Sequence, residues 1–361
     1  SQTSGSVADA ACSDNTDRYL RIDEAAKLTH EDPVLDISRR GGIVWSAAMT
    51  GGDEQILTVG GRDANIWDAR TGEMRISFSP HGAVASAQFS PDGRFIVTGS
   101  WDNSAKIWDV RTGRGYRKLE GEHSGYVNSA EFSPDGRFVL TASDDRTVKL
   151  WDVETATVVR TLSGHTDRVH RATFSPDGTL MLTASSDRTA RLWDAATGEQ
   201  LGEPFVGHRW AVLDARFSPD GTRIVTGSED NQAWIWNVED RSEIARLEGH
   251  IAAVTTVAFS QDGSRVFTSS RDNTAKIWDA TAGHEGTEVL TLTGHAREVT
   301  SITVSPDNRY VLTSGRDGKA IVWLTSDWKL LPGEAEHSAF KALSPARKPG
   351  REAARARVPV R

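Results

Sequence analysis

An all-β fold is predicted for this chain, with seven four-stranded antiparallel sheets standing as the blades of a ring. Three observations predict it. A segment recurs, and its copies end at Trp67, Trp108, Trp151, Trp193, Trp236, Trp278 and Trp323, with spacings of 41, 43, 42, 43, 42 and 45 residues. The cleanest copy opens with Gly164-His165 and closes with Leu192-Trp193-Asp194. Between those ends stands a Ser-Pro-Asp-Gly turn, at residues 90–93, 133–136, 175–178 and 218–221. A period of about 40–45 residues with these two signatures marks one four-stranded blade per copy, and a blade buries its apolar faces only by stacking on its neighbours. Seven copies in register give a seven-bladed β-propeller.

The bulk numbers fit that reading. At 361 residues the chain is long enough for two or three ordinary domains, but repeats stack into one ring and override the length prior. Fifty acidic residues oppose 42 basic ones, a net charge of −8, which as a whole disfavours nucleic acid and anionic membranes. No apolar run reaches the roughly 18 residues of a membrane helix. The single cysteine, Cys12, excludes an intrachain disulfide and fits a reducing, cytoplasmic setting. The chain opens on Ser1, so a tag, a leader or a further domain is expected upstream.

In chain order, residues 1–32 form an extension outside the ring. Residues 1–16 are small and polar and read as disordered. Residues 17–29 place Ile22, Ala25 and Ala26 at helical spacing behind a capping Asp17, which predicts a short helix ended by Pro33. Val34-Leu35-Asp36-Ile37 then matches Val159 to Leu162, the strand that leads into the Gly164-His165 copy. The repeats over 33–324 therefore begin with the last strand of a blade. That strand is expected to pair with the open edge after Trp323 and close the ring without a free edge.

Each copy then reads alike. Strand a ends in an aromatic such as Phe174. The Ser-Pro-Asp-Gly turn follows, with Pro fixing φ, Asp capping and Gly accepting a positive φ; it becomes Ser-Gln-Asp-Gly at 260–263 and Ser-Pro-Asp-Asn at 305–308. Strand b, a polar turn, strand c ending at the tryptophan, and strand d complete the unit. The first copy departs, with Thr50-Gly51-Gly52-Asp53 at the turn and one residue missing before Trp67. Trp328 and Leu330-Leu331 are expected to pack on the last blade. Within the extension 325–361, residues 341–361 hold seven basic side chains against Glu352 alone and read as a disordered basic tail.

Five copies carry His, Thr, Asp and Trp at fixed spacing. The sets are His123, Thr141, Asp145, Trp151; His165, Thr183, Asp187, Trp193; His208, Thr226, Asp230, Trp236; His250, Thr268, Asp272, Trp278; and His295, Thr313, Asp317, Trp323. A His with a carboxylate and a hydroxyl suggests hydrolysis, but an active site is needed once and this set occurs five times. These residues, the Gly-His and Trp-Asp ends and the period resemble the WD-repeat family, over most of the chain. The resemblance implies a buried relay from Asp to His to Thr to the indole N–H, pinning the turn before strand c to the loop before strand a. In the first two copies Arg40 replaces the His, Asp63 is out of register with Trp67, and His81 falls one position late. Those two blades are expected to rest more on packing. No phosphate loop, nucleophile elbow or cysteine metal cluster is present, so no cofactor or metal and no catalytic residue is expected. His284 and Glu285 read as a surface loop.

Function is then expected where the d–a loops and b–c turns meet, the usual partner-binding end in the family. The family's exposed positions carry over to Ile43 and Trp45; Ala83, Ala85 and Trp101; Tyr126, Asn128 and Asp144; Arg168, His170 and Ser186; Ala211, Leu213 and Glu229, with Trp210 beside them; Ala253, Thr255 and Arg271; and Glu298, Thr300 and Arg316. Of these, Trp45, Trp101, Tyr126, Asn128, Asp144, Arg168, His170, Trp210, Arg271 and Arg316 are the candidate partner contacts. Trp101 is the sharpest, because a large aromatic stands on a short turn where other copies have a small or charged residue, and exposed Trp, Tyr and Arg dominate binding hot spots. Arg168, Arg271 and Arg316 suit a polar rim or an acidic motif, and Trp234 reads as a blade-surface contact. The expected function is a non-catalytic scaffold or sensor that binds a protein or peptide. The wording of the repeats resembles that of bacterial multidomain signalling proteins, which implies an enzyme domain elsewhere in the full chain. The alternatives are nucleic-acid association through the basic tail and an enzyme with a central-channel site, for which no unrepeated His or carboxylate cluster stands out.

Overall fold

The computed structural model describes residues 35–38, 42–50, 55–69, 71–78 and 82–325. The expected helix at 17–29, Val34, Arg40, the turn residues 51–53, His81, Trp328, Leu330, Leu331 and the tail 341–361 lie outside the described residues.

Seven antiparallel sheets of four strands each are present. Blade four shows the pattern. Strand a runs Val169–Phe174, strand b Leu180–Ser185 and strand c Thr189–Asp194, and strand d is the two-residue Phe205–Val206. Blades one to three, five and six repeat it in chain order. Blade seven takes its first three strands from Val299–Val304, Tyr310–Gly315 and Lys319–Leu324, and its fourth from Leu35–Ser38 near the other end of the chain. Leu35 pairs with Val322 and Ser38 with Lys319, antiparallel. The predicted closing strand is thus present, and it reaches one residue past its predicted end at Ile37. Strands a of successive blades touch all the way round, the last against the first, which makes them the inner wall of the ring.

Local chemistry explains the turns. In Ser133-Pro134-Asp135-Gly136, the Ser133 hydroxyl donates to Asp135 Oδ1 at 2.6 Å and accepts from the Phe138 N–H at 2.9 Å, while Gly136 stands at φ +71°. Asn308 occupies the same place in blade seven at φ +61°, since Asn tolerates the left-handed region.

The core consists of seven clusters, one between each pair of neighbouring blades. In each, the repeat tryptophan of one blade packs on strands b and c of the blade before it. Trp193 sits with Leu140, Ala142, Val148 and Leu150. The cluster joining blades seven and one holds Trp67, Ile56 and Ala47 against Leu312, Ala320 and Val322. Closure therefore buries apolar surface as well as pairing a strand.

Polar stitches cross the same boundaries along the inner wall. The side chain three positions before the last residue of strand a accepts a backbone N–H of the next blade: Ser86 from Ala130 (3.1 Å), Ser129 from Ala172 (3.2 Å), Thr256 from Ile302 (2.8 Å) and Ser301 from Ala47 (3.2 Å). Blade four has Arg171 at this position, which only donates. The Ala215 N–H goes instead to its own neighbour, Asp214 Oδ1, at 3.0 Å, while Asp214 Oδ2 serves Val257 at 3.0 Å. Arg171 Nε donates to the same Asp214 Oδ1 at 3.0 Å, and Arg216 joins Asp214 to Glu131, 2.7 Å from Glu131 Oε2. The channel wall thus does contain an unrepeated pair of carboxylates, which corrects the sequence expectation. Residues 131 and 214 are far apart in the chain and meet only because the ring brings strands of blades three and five within an arginine's reach. Both carboxylates are engaged by the arginines beside them.

Candidate functional site

The end bearing the d–a loops and b–c turns is held by a repeated backbone brace. In blades two to seven the N–H of the residue before the framework Asp donates to the carbonyl of a d–a loop residue at 2.9 Å. The pairs are Trp101 to Ala83, Asp144 to Tyr126, Ser186 to Arg168, Glu229 to Ala211, Arg271 to Ala253 and Arg316 to Glu298. The positions singled out in the sequence are therefore joined in pairs by main chain, and their side chains project from a fixed platform. Gly125 shows how close the two loops approach: a Cβ there would lie 2.7 Å from the Asp145 backbone nitrogen.

Beneath this platform lies the relay. In blade four, His165 Nδ1 lies 2.7 Å from Asp187 Oδ2 and His165 Nε2 2.6 Å from Thr183 Oγ1, and Trp193 Nε1 donates to the same hydroxyl at 3.0 Å. The sets of blades three, five, six and seven match it within a few tenths of an ångström. Burial raises the Asp187 carboxyl's affinity for a proton, but hydrogen bonds and charge from His165, with hydrogen bonds from Thr189 and the Thr166 N–H, outweigh it and hold the group below the carboxylate range. Asp145, Asp230, Asp272 and Asp317 are depressed in the same way. Burial pushes His165 down, against the pull of Asp187. A His held between a carboxylate and a hydroxyl, five times over and inside the blades, is a fastening. In blades one and two half of it persists: Trp67 Nε1 donates to Thr58 at 2.8 Å and Trp108 Nε1 to Thr98 at 3.0 Å. The sequence reading missed these, because it sought the set by its His.

Three candidates form one row across blades one to three. The Trp45 and Trp101 rings lie 5.8 Å apart, tilted by 57°, and Trp101 and Tyr126 lie 5.9 Å apart, stacked within 26°. Trp101 is 40% exposed and Tyr126 50%. The Arg316 guanidinium lies 5.1 Å from the Trp45 ring centre and 2.8 Å from Glu298 Oε2, so a fourth candidate joins the row from blade seven.

The remaining candidates lie apart from the row. Asn128 donates to Asp144 Oδ1 at 2.7 Å and to the Val169 carbonyl at 3.0 Å, stitching blade three to blade four. Thr255 reaches the Val299 carbonyl of the next blade in the same way. Arg168 Nε stands 3.7 Å from Asp144, and Arg271 3.4 Å from Glu229. His170 Nε2 is 2.7 Å from the Ser186 hydroxyl, and burial lowers its pKa. Trp210 is 63% exposed. Ala253, carried over as an exposed position, is buried. Trp234 is buried too, its ring tilted against those of Trp236 and His208 and lying under Arg246. The sequence reading passed over Ile251, 85% exposed; its signal was a large apolar residue directly after a framework His, where the other four copies have Ser124, Thr166, Arg209 and Ala296.

At the opposite end a groove of about 790 Å³ lies between blades three and four, walled by Phe138, Leu150 and Phe174. Its carboxylates Asp135, Asp177 and Asp194 are all bonded within their own turns. No group of three His, Cys, Asp or Glu placed to hold a metal occurs among the described residues.

A family model described as "WD domain, G-beta repeat" matches residues 72–109, 115–152, 156–194, 198–237, 241–279 and 286–323, together more than half of the chain. The unmatched copy is the first, the one with the irregular turn. Among curated proteins, similarity extends to the periodic tryptophan protein 2 homolog of Neurospora crassa, 43% identical over 49 residues, which are 13% of this chain and 6% of that protein. The target of rapamycin complex subunit LST8 of Saccharomyces cerevisiae is 36% identical over 67 residues, 18% of this chain and 22% of its own length. The serine-threonine kinase receptor-associated protein of Gallus gallus is 33% identical over 67 residues, 18% and 19% of the two chains. These matches span less than a quarter of each relative. All three relatives are eukaryotic, so they lend no support to the expectation of a bacterial type of repeat within a multidomain signalling protein.

Proposed function

Because the chain belongs to the WD40 family of G-beta-type repeats, we propose that it is a non-catalytic scaffold that binds a protein or peptide on the face formed by the d–a loops and b–c turns. The row of Trp45, Trp101 and Tyr126 carries this reading. Large aromatics cost little side-chain entropy to fix and dominate interface energies when they stand on a rigid support. Here the support under Trp101 and Tyr126 is the backbone brace, and Trp45 is held by its own N–H, which donates to the Val59 carbonyl at 2.8 Å. Two of the relatives point the same way by description, one a complex subunit and one a receptor-associated protein. The reading includes a cytoplasmic setting, supported by the presence of a single cysteine.

The test is affinity capture with the full chain and with a Trp101→Ala/Tyr126→Ala variant of unchanged melting temperature. Partners retained by the wild type are expected to be lost by the variant. Equal retention by both would place binding elsewhere on the ring.

A further inference from the structure

We propose that the Trp101–Tyr126 part of the row is a receptor for a cationic side chain, arginine before lysine, carried by an extended basic segment of a partner protein. This rests on the partner-binding reading above and specifies its chemistry.

The protein supplies its own example of the contact. Arg316 lies 5.1 Å from the centre of the Trp45 ring, with Glu298 taking the other side of its charge at 2.8 Å. The row thus accepts a guanidinium on its first ring and has a carboxylate beside it. Trp101 and Tyr126 continue the row with nearly parallel rings and substantial exposure. Among the described residues no cation lies over either ring. A ring face carries the negative part of the aromatic quadrupole, which attracts a cation and repels a carboxylate.

The surroundings favour the same sign. Asp102 follows Trp101 in its turn, and Asp144 is hydrogen-bonded through its N–H to the Tyr126 carbonyl. Residues 341–361 contain seven basic residues and one acidic residue, so the rest of the chain carries 35 basic against 49 acidic side chains. Such a field draws a basic segment in and repels an acidic one. Arginine is preferred because its planar guanidinium stacks on a ring and is more weakly hydrated than an ammonium.

The experiment uses the full chain on an array of short peptides with randomised flanks and one fixed central residue: Arg, Lys, citrulline, Ala or Glu. The Arg set is expected to bind most, then Lys, with citrulline, Ala and Glu about tenfold or more weaker. Trp101→Ala should weaken the Arg set about tenfold, while Trp101→Phe, which keeps a ring face, stays within about threefold of wild type. If the neutral or acidic sets bind as well as Arg and Trp101→Ala still abolishes them, the face is a docking surface but the cation assignment is wrong. Arg binding that ignores both Trp101→Ala and Tyr126→Ala is diffuse attraction to an acidic protein and overturns both readings, as does an array on which nothing binds. Tighter Arg binding after removal of residues 341–361 would make the chain's own basic tail the occupant and overturn the assignment to a partner.

Discussion

Arg146 and Arg188 stand at φ +71°, directly after the framework aspartates of blades three and four. The corresponding residues elsewhere are Asn103, Asn231, Asn273 and Gly318, also at positive φ. An arginine gains nothing from a left-handed conformation that costs an ordinary L-residue about 1–2 kcal/mol, whereas Asn is eased by local hydrogen bonding. Arg146→Asn and Arg188→Asn are each expected to stabilise the fold by about 0.5–1 kcal/mol, read from urea midpoints at constant slope. Two tryptophans separate support from function. Trp193→Ala empties a core position and leaves Thr183 without its indole donor, for an expected loss of about 3–5 kcal/mol. Trp101→Ala is expected to leave the melting temperature nearly unchanged while weakening the partner; a variant that unfolds would show that the ring is needed by the fold. On the inner wall, Asp214→Ala strands Arg171, leaves Arg216 with Glu131 alone and frees the Val257 N–H, and about 3–5 kcal/mol is expected to be lost. Adding Arg171→Ser should recover part of that loss, because a hydroxyl restores the acceptor found in the other blades. Trp101 was legible as a surface residue because its turn was short. The Glu131–Arg216–Asp214–Arg171 chain was not legible, because its pairing depends on which strands face each other across the ring, and periodicity does not report that.

At the scale of the blade, the relay ties two connections that sequence separates by about half a repeat, and it explains why five blades share one geometry. Titration follows from it. The depressed aspartates contribute stability that is fully present above their ordinary value of 3.8 and is lost as pH falls through their lower folded values. His165 and His170 are also depressed, from 6.5, by burial. Their contribution is present above that value and is lost as acid charges them first in the unfolded chain. Urea midpoints are therefore expected to fall from about pH 6.5 downward and again below about pH 4; a midpoint that rises on acidification between pH 7 and 5 would contradict the neutral histidine. Blades one and two retain the indole-to-threonine bond on Thr58 and Thr98. With Arg40 and His81 out of the relay pattern, their backbone amides are expected to exchange with deuterium faster than those of blades three to seven. Equal protection would show that packing and the indole bond suffice. The strands and turns of the regular copies were legible because each rests on local chemistry, a Pro, an Asp or a Gly at a fixed offset. The short strand d of blade four, Phe205–Val206, was not, since the polar stretch from Ala195 to Glu203 blurs where pairing resumes.

For the whole molecule, the ring follows from arithmetic that the sequence carries openly: seven tryptophans, seven inter-blade clusters, and one displaced strand that completes the count. Which arc of the rim does the work was less open, because Trp45, Trp101, Tyr126 and Arg316 are separated by up to 271 positions and become neighbours only when blade seven meets blade one. The seam between those blades has a further consequence, during synthesis. Leu35–Ser38 leaves the ribosome ahead of its partner Lys319–Leu324, which follows some 280 residues later, an interval of roughly 15–60 s at ordinary elongation rates. Until then blade one, the least regular of the seven, lacks the neighbour that covers Trp67 and Ile56. The nascent chain therefore carries an unsealed apolar flank throughout that interval, and the last blade to emerge makes it safe.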